Sequence, residues 1–138
     1  MSRERNIAVL KNAVQLINSG EIDAGVNMLF AEDAIDHDPA PGQGAGRAGF
    51  RAFFRLLTRA FPDMHLEQAH LVADDEHLSL AFTVSGTHRG NLNGIAPTGR
   101  GFAVRGVEIF RFREGKVVER WGITDELGIM TQLELVPS

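Results

Sequence analysis

The sequence predicts an α+β fold in which helices pack on one face of a curved, mainly antiparallel sheet. Apolar residues recur at helical spacing up to about residue 61, and from about residue 64 they alternate with polar residues, as in strands. A short helical segment follows the last strand. Helices and strands segregated along the chain in this way are typical of α+β proteins. The chain has 138 residues, which fits one domain.

Three amphipathic helices are predicted in the first half of the chain. Gly20 follows the first helix, at the position where glycine commonly ends one. The third helix ends at or just before Phe61, because the residue before Pro62 disfavours helical backbone. Between the second and third helices, residues 33–46 are polar and rich in proline and glycine, which predicts a loop. The predicted helices cover residues 3–19, 22–31 and 46–61.

Four strands are predicted in the second half. The last two are joined by a tight hairpin in which Gly115 can adopt positive φ. A glycine-rich loop at 89–101 precedes them, and it could gate entry to a pocket or be plain turn structure. Asp125 then begins the short last helix. The predicted strands cover residues 64–73, 77–88, 102–113 and 116–124.

Composition excludes several function classes. The net charge is −4 without a basic stripe, so nucleic-acid binding is not expected. No apolar run approaches the ~20 residues of a membrane-spanning helix, so no membrane partner is expected. The absence of cysteine excludes thiol chemistry. The polar start of the chain shows no signal peptide, and we therefore expect a cytoplasmic protein.

Four segments together resemble the SnoaL-like polyketide cyclases of the nuclear-transport-factor-2-like superfamily. The resemblance spans nearly the whole chain, with the segments in the family's order. The segments are NSGEIDAGVNMLFAEDAIDHDP (18–39), FPD (61–63), GTHRGNLNGIAPTGR (86–100) and FRFREGKVVERWGITD (110–125).

The resemblance implies one cone-shaped α+β barrel domain over residues 1–138, with a deep apolar cavity. It also implies a homodimer formed through the outer face of the sheet. The characterised cyclases of the family close a ring by intramolecular aldol condensation without a metal or cofactor. We therefore expect metal-free acid/base chemistry on a small apolar ligand that contains a carbonyl group, such as a polyketide-like ketone.

The resemblance assigns the acid/base role to Asp125, the last residue of the W-x-x-x-D motif that begins at Trp121. If the strand runs straight, Asp125 shares a face with Val117 and Trp121. Desolvation on such a face would raise the pKa of the carboxyl group. The alternative is that Asp125 caps the last helix, for which aspartate is a favoured residue.

Other polar candidates are two histidines, one glutamate and one arginine. His37 or His88 could polarise a substrate carbonyl, although His88 could instead bond to the loop that follows it. Glu108 shares its strand face with aromatic residues, which favours either a pocket-lining role or an ion pair with Arg105 or Arg120. Arg105 would contact the substrate's carboxylate or oxyanion if the opposite face of the strand pointed inward.

Aromatic residues complete the candidate binding site. Phe50, Phe54 and Phe61 are simplest as core residues of the third helix, but some of them could touch a ligand, as could Trp121. The consecutive residues Asp36, His37 and Asp38 point in different directions, so no metal site is expected.

Three alternative functions remain open on the same fold. Isomerase and epoxide-hydrolase chemistry in the superfamily commonly uses a tyrosine, and this chain has none. A hydroxylase relative is not excluded. The third alternative is a non-catalytic domain that binds a small molecule.

Overall fold

The computed structural model describes residues 2–137 and confirms the α+β class. Helices packed on one mixed sheet form the cone-like fold expected from the resemblance. The helices are α1 (Ser2–Asn18), α2 (Ile22–Leu29), α3 (Gly46–Ala60) and α4 (Glu126–Gln132), and the strands are β1 (Phe30–Asp36), β2 (His65–Ala73), β3 (His77–Thr87), β4 (Gly101–Arg113) and β5 (Lys116–Thr124).

The five strands lie in the order β1-β5-β4-β3-β2. All neighbours are antiparallel except β1, which runs parallel to β5. The hairpin between β4 and β5 has positive φ at both Glu114 and Gly115, 52° and 76°, as the predicted tight turn requires. No helix within residues 2–137 is both long and apolar enough to cross a lipid bilayer.

Strand β1 corrects the prediction of a loop after the second helix. The helix ends at Leu29, and β1 continues directly from it, with Phe30 and Ala34 buried. The predicted helix included Phe30 and Ala31, and the predicted loop began at residue 33 because the segment that follows is polar and rich in proline and glycine. Glu32 and Asp33 are exposed, as an edge strand allows, whereas Asp36 is paired with an arginine on the inner face.

The sheet has an inner face, which points toward α1, α2 and α3, and an outer face. Residues of β4 alternate strictly between them: Val104 and Phe110 are buried on the inner face, whereas Val107 and Ile109 are exposed on the outer face. Phe50 of α3 stacks on Phe30 of β1 with ring centroids 3.9 Å apart, which ties the helices to the inner face.

A β-bulge in β5 decides which side chains of that strand point inward. Phe112 pairs with Val117 but Arg111 pairs with Glu119, so Val118 is an extra residue. Val117 is therefore buried on the inner face, whereas Glu119 lies on the outer face opposite Arg111.

Candidate functional site

The inner face carries one ion pair between β4 and β5. Arg120 donates from Nε to Oε2 of Glu108 at 2.6 Å and from Nη2 to Oε1 at 2.9 Å. Only 15% of the Arg120 side chain and 16% of the Glu108 side chain are exposed. A planar guanidinium that matches both carboxylate oxygens fixes the orientation of the acid.

Two aspartates at the end of β1 share this arginine. Nη1 of Arg120 donates to Oδ1 of Asp36 at 3.0 Å and to the backbone oxygen of Asp38 at 3.1 Å. The Asp36 side chain is 8% exposed and also accepts a hydrogen bond from Gln43. The carboxylate of Asp38 accepts the backbone N–H of Gly122. We call Asp36, Asp38, Glu108 and Arg120 the inner acid cluster; fully ionised, its three carboxylates and one guanidinium carry a formal charge of −2.

Gly122 allows the carboxylate of Glu108 to lie flat on β5. The two residues are opposite each other in the sheet register. A Cβ at position 122 would sit 2.1 Å from Oε2 of Glu108 and 2.7 Å from Nη2 of Arg120. Any larger residue would therefore displace the ion pair.

Burial raises the pKa of Glu108 above its ordinary value, because desolvation disfavours the charged form. The hydrogen bonds and positive charge of Arg120 oppose this rise, whereas the charges of Asp36 and Asp38 add to it. The pKa of Arg120 also shifts upward, since its bonds to Glu108 and Asp36 outweigh its own desolvation. Glu108 therefore keeps its proton to a higher pH than a free glutamate, and it is a stronger base once ionised.

Asp125 lies outside this cluster. It is exposed, and its Oδ1 accepts the backbone N–H of Gly128 at 2.8 Å, so it is the N-cap of α4. The expectation that Asp125 is desolvated on a face with Val117 and Trp121 is wrong. The bulge in β5 puts Trp121 on the outer face, opposite Ile109, and Asp125 follows the end of the strand.

His37 and Trp121 also lie on the outer face, across the sheet from Glu108. Their rings stack with centroids 4.6 Å apart and an interplanar angle of 9°. Nε2 of His37 is 3.1 Å from Oε1 of Glu119. Arg105 is exposed on the same outer face, so the alternative in which it pointed inward or paired with Glu108 is wrong. Strand alternation places Arg105 and Glu108 on opposite sides of the sheet.

His88 is fully buried and bonds to the glycine-rich loop, as its structural alternative predicted. Its Nδ1 accepts the backbone N–H of Thr98 at 3.2 Å and lies 3.1 Å from the hydroxyl oxygen of that residue. The N–H of His88 bonds to the carbonyl of Arg100, which directly precedes β4 and lies eight positions before Glu108. At ~3.3 Å per residue this separation is about 26 Å along β4, so His88 does not belong to the inner acid cluster.

The three phenylalanines occupy core positions. Phe50 and Phe61 are 4% and 2% exposed, and Phe61 also packs on Phe102 with centroids 4.7 Å apart. Phe54 is half-buried against the same core. None of these contacts tests a ligand-binding role, which stays a prediction.

Open clefts on the described surface include two that are not next to Glu108. One, of about 440 Å³, is lined by the end of β3 and the start of β4, together with Asp63 from the turn before β2 and Gln132 of α4. The other, of about 460 Å³, lies between α2 and Arg55 of α3. We take the inner acid cluster as the candidate site because its chemistry is concentrated and buried, whereas these clefts are wide and shallow. The deep apolar cavity implied by the resemblance stays a prediction.

Comparison with known proteins agrees with the fold. The sequence profile of the SnoaL-like polyketide cyclases matches residues 7–133, so the chain belongs to this family. It is 27% identical over 132 residues to the aklanonic acid methyl ester cyclase DnrD of Streptomyces peucetius, covering 92% of this chain and 89% of DnrD.

Solved structures of similar proteins share the fold of this chain. IdmH, a candidate polyketide cyclase of Streptomyces antibioticus, superposes with a TM-score of 0.81 at 26% identity over 94% of this chain and 98% of IdmH. TsrD of Streptomyces laurentii superposes with a TM-score of 0.88 at 24% identity over 99% of each chain, which shows the shared fold. The family and its cyclase-named relatives support an enzyme of the SnoaL type.

Proposed function

We propose that the protein closes a ring by intramolecular aldol cyclisation of a polyketide-like ketone, by addition without loss of water, and that Glu108 transfers the proton. The observation that carries the proposal is the buried carboxylate of Glu108 on the inner face, oriented by two hydrogen bonds from Arg120. Its raised pKa suits a group that must both take and return a proton.

The proposed reaction needs one proton shuttle and no other reagent. Ionised Glu108 removes a proton from a carbon flanked by carbonyl groups, and the C–H electron pair becomes an enolate. The enolate carbon forms a bond to a second carbonyl carbon of the same molecule, whose π electrons move to its oxygen. Protonated Glu108 returns the proton to this alkoxide. The product is an isomer of the substrate, and the carboxylate is regenerated.

The charge of the cluster bears on the substrate class. When all four groups are ionised, the cluster repels a second carboxylate, because two like charges at close range in a partly desolvated site are unfavourable. A neutral ketone avoids this repulsion. The name of DnrD describes a cyclase of a methyl ester. We therefore propose a neutral, esterified substrate for this chain.

The test compares Glu108→Gln with Asp125→Asn, using aklanonic acid methyl ester as the probe substrate. Glu108→Gln should lower turnover by about 10²–10⁴-fold, since the amide cannot accept the proton. Asp125→Asn should remain within a few fold of wild type, because asparagine also caps helices well. Loss in Asp125→Asn with retention in Glu108→Gln would instead assign the chemistry to the motif aspartate. Circular dichroism of both variants controls for folding.

One observation favours a second function, a non-catalytic small-molecule-binding domain. Both oxygens of Glu108 are engaged by Arg120, as in ion pairs that only stabilise a structure. Calorimetric binding of the same ester, with product formation followed by chromatography, separates the two functions. Binding without conversion at any pH would support the second.

A further inference from the structure

We infer that His37 is a positioning residue that acts through the sheet: from the outer face it holds Asp36 and Asp38 against Arg120, the partner of Glu108. The inference concerns the site of the proposed function and rests on that function only for its effect on turnover. Its structural part can be tested without a substrate.

The segment Asp36–His37–Asp38 crosses from one face of the sheet to the other. The carboxylate of Asp36 bonds to Arg120 on the inner face, while the ring of His37 lies on Trp121 on the outer face. The backbone N–H of His37 donates to the carbonyl of Arg120 at 2.9 Å. Since the backbone oxygen of Asp38 also accepts from Arg120, all three residues of the segment form hydrogen bonds with this one residue of β5.

The outer anchor is more extensive than a single contact. His37 stacks flat on Trp121 and pairs with Glu119. Glu119 in turn binds Arg111, whose other partner is Glu76 at 3.5 Å. His37 therefore contacts one charged group of β5 directly and is linked through it to charged groups of β4 and of the turn before β3.

The end of β1 has few backbone bonds to the rest of the sheet, because β1 has only one neighbouring strand. Its pairing with β5 is irregular between Phe30 and Ile35, and regular pairing at its end involves only Ile35 and Asp36. Beyond Asp36, the segment is held on the inner side by the backbone bond of His37, by the bond from Arg120 to the backbone oxygen of Asp38 and by the bond from Gly122 to the Asp38 carboxylate. The His37 ring supplies its hold on the outer side. Loss of the His37 ring would remove the stack and the bond to Glu119 together.

The direction of the effect follows from the charges. Asp36 and Asp38 raise the pKa of Glu108 by repulsion, and Asp36 also takes part of the hydrogen-bonding capacity of Arg120. If the segment loosens, the carboxylates of Asp36 and Asp38 move away from Glu108. Arg120 then donates its hydrogen bonds to Glu108 alone, and water enters the inner acid cluster. Each change lowers the pKa of Glu108, so they do not cancel.

The experiment is a pH titration of the Glu108 side-chain carboxyl by ¹³C NMR on glutamate-labelled protein, with the resonance assigned by Glu108→Gln. His37→Ala should lower the proton affinity of Glu108 about three- to tenfold, the order expected when neighbouring charges are removed. His37→Phe keeps a flat ring on Trp121 and should recover at least half of the shift. His70→Ala, an exposed histidine of β2, is the matched control and should leave the midpoint unchanged.

Trp121 is the only tryptophan in the chain, so its fluorescence reports the stack directly. An altered Trp121 emission with an unchanged Glu108 midpoint in His37→Ala would overturn the inference. If His37→Ala does not fold, the same reading applies to His37→Gln, which loses the ring but keeps a polar group. Failure of the proposed function would appear elsewhere, as turnover retained in Glu108→Gln.

Discussion

Each face of the sheet carries a glutamate–arginine pair, but the pKa values of the two glutamates shift in opposite directions. On the inner face Glu108 pairs with Arg120, and on the outer face Glu119 pairs with Arg111, in both cases between β4 and β5. The pKa of Glu108 is raised, mainly by burial. The pKa of Glu119 is lowered, first by its hydrogen bond with Arg111 and then by His37.

Accessible area alone does not explain this difference. The exposed fractions of the two carboxylate side chains are similar, 16% for Glu108 and 22% for Glu119. The depth of each carboxylate in the fold explains the opposite pKa shifts better. Glu108 lies on the face covered by helices, whereas Glu119 is covered only by neighbouring side chains on a face that no helix covers. Asp36 and Asp38 add two like charges beside Glu108, whereas His37 and Arg111 favour the charged form of Glu119. An ion pair therefore does not by itself fix the acidity of its carboxylate.

The largest difference between the inner and outer faces is expected when Arg120 and Arg111 are removed in turn. Arg120→Ala should destabilise the protein by about 3–5 kcal/mol, because it leaves buried carboxylates without a cation. Arg111→Ala should cost much less, since solvent screens the outer carboxylates. Urea unfolding of both variants measures the difference. Equal losses would mean that the two faces are electrostatically equivalent.

A second change distorts the inner pair without removing a charge. Gly122→Ala should destabilise the fold by about 1–3 kcal/mol, as expected for overpacking, because the new Cβ collides with the Glu108 carboxylate. Gly44→Ala is the control, since a Cβ there meets nothing within 4 Å. Thermal unfolding of the two variants tests this, and a neutral Gly122→Ala would show that the pair can shift freely.

The pH dependence of stability should have opposite signs on the two faces. The raised pKa of Glu108 favours the folded state below the unfolded pKa of about 4.3, and this contribution is lost as pH rises through the folded value. The lowered pKa of Glu119 favours the folded state above about pH 4.3, and this contribution is lost as pH falls through the folded value.

Unfolding free energies of wild type, Glu108→Gln and Glu119→Gln, measured from pH 3 to 8, check these signs. Relative to wild type, Glu108→Gln should become more stable as pH rises, and Glu119→Gln less stable. Parallel curves for the two variants would refute the assigned directions.

The smallest effect on stability is expected at the apolar patch of the outer face. On this face Val107 pairs with Ile123, and Ile109 pairs with Trp121. Val107 is 51% exposed, Ile123 74% and Ile109 42%. The homodimer remains a prediction, and this patch is the surface we propose for it. Ile109→Lys should change monomer stability by only about 0.5 kcal/mol or less but weaken self-association, as measured by analytical ultracentrifugation. A wild-type protein that stays monomeric at high concentration would contradict the homodimer.

The sequence was sufficient for most of the fold, because helical and strand periods are local signals. β1 was missed because most of its residues fell in the second predicted helix and the predicted loop, and only its pairing with β5 reveals a strand. Alternation along β4 correctly divided its residues between two faces. The position of the helices was needed to decide which of the two faces points inward.

The site was harder to predict because it depends on one bulge and on a non-local pairing. A straight β5 would place Val117 and Glu119 on one face, and the extra residue Val118 separates them. Sequence alternation therefore gave Asp125 and Trp121 an inward position that they do not have. The alternative in which Glu108 pairs with Arg120 is confirmed, whereas its pocket-lining role stays a prediction. The contribution of Asp36 and Asp38 could not be predicted, because β1 reaches β5 from far along the chain.

The most direct measurement is the ¹³C titration of Glu108 and Glu119 in a single wild-type sample. We predict that Glu108 titrates above the ordinary glutamate value and Glu119 below it. A Glu108 midpoint equal to or lower than that of Glu119 would contradict the claim that depth in the fold makes Glu108 the proton-transferring group.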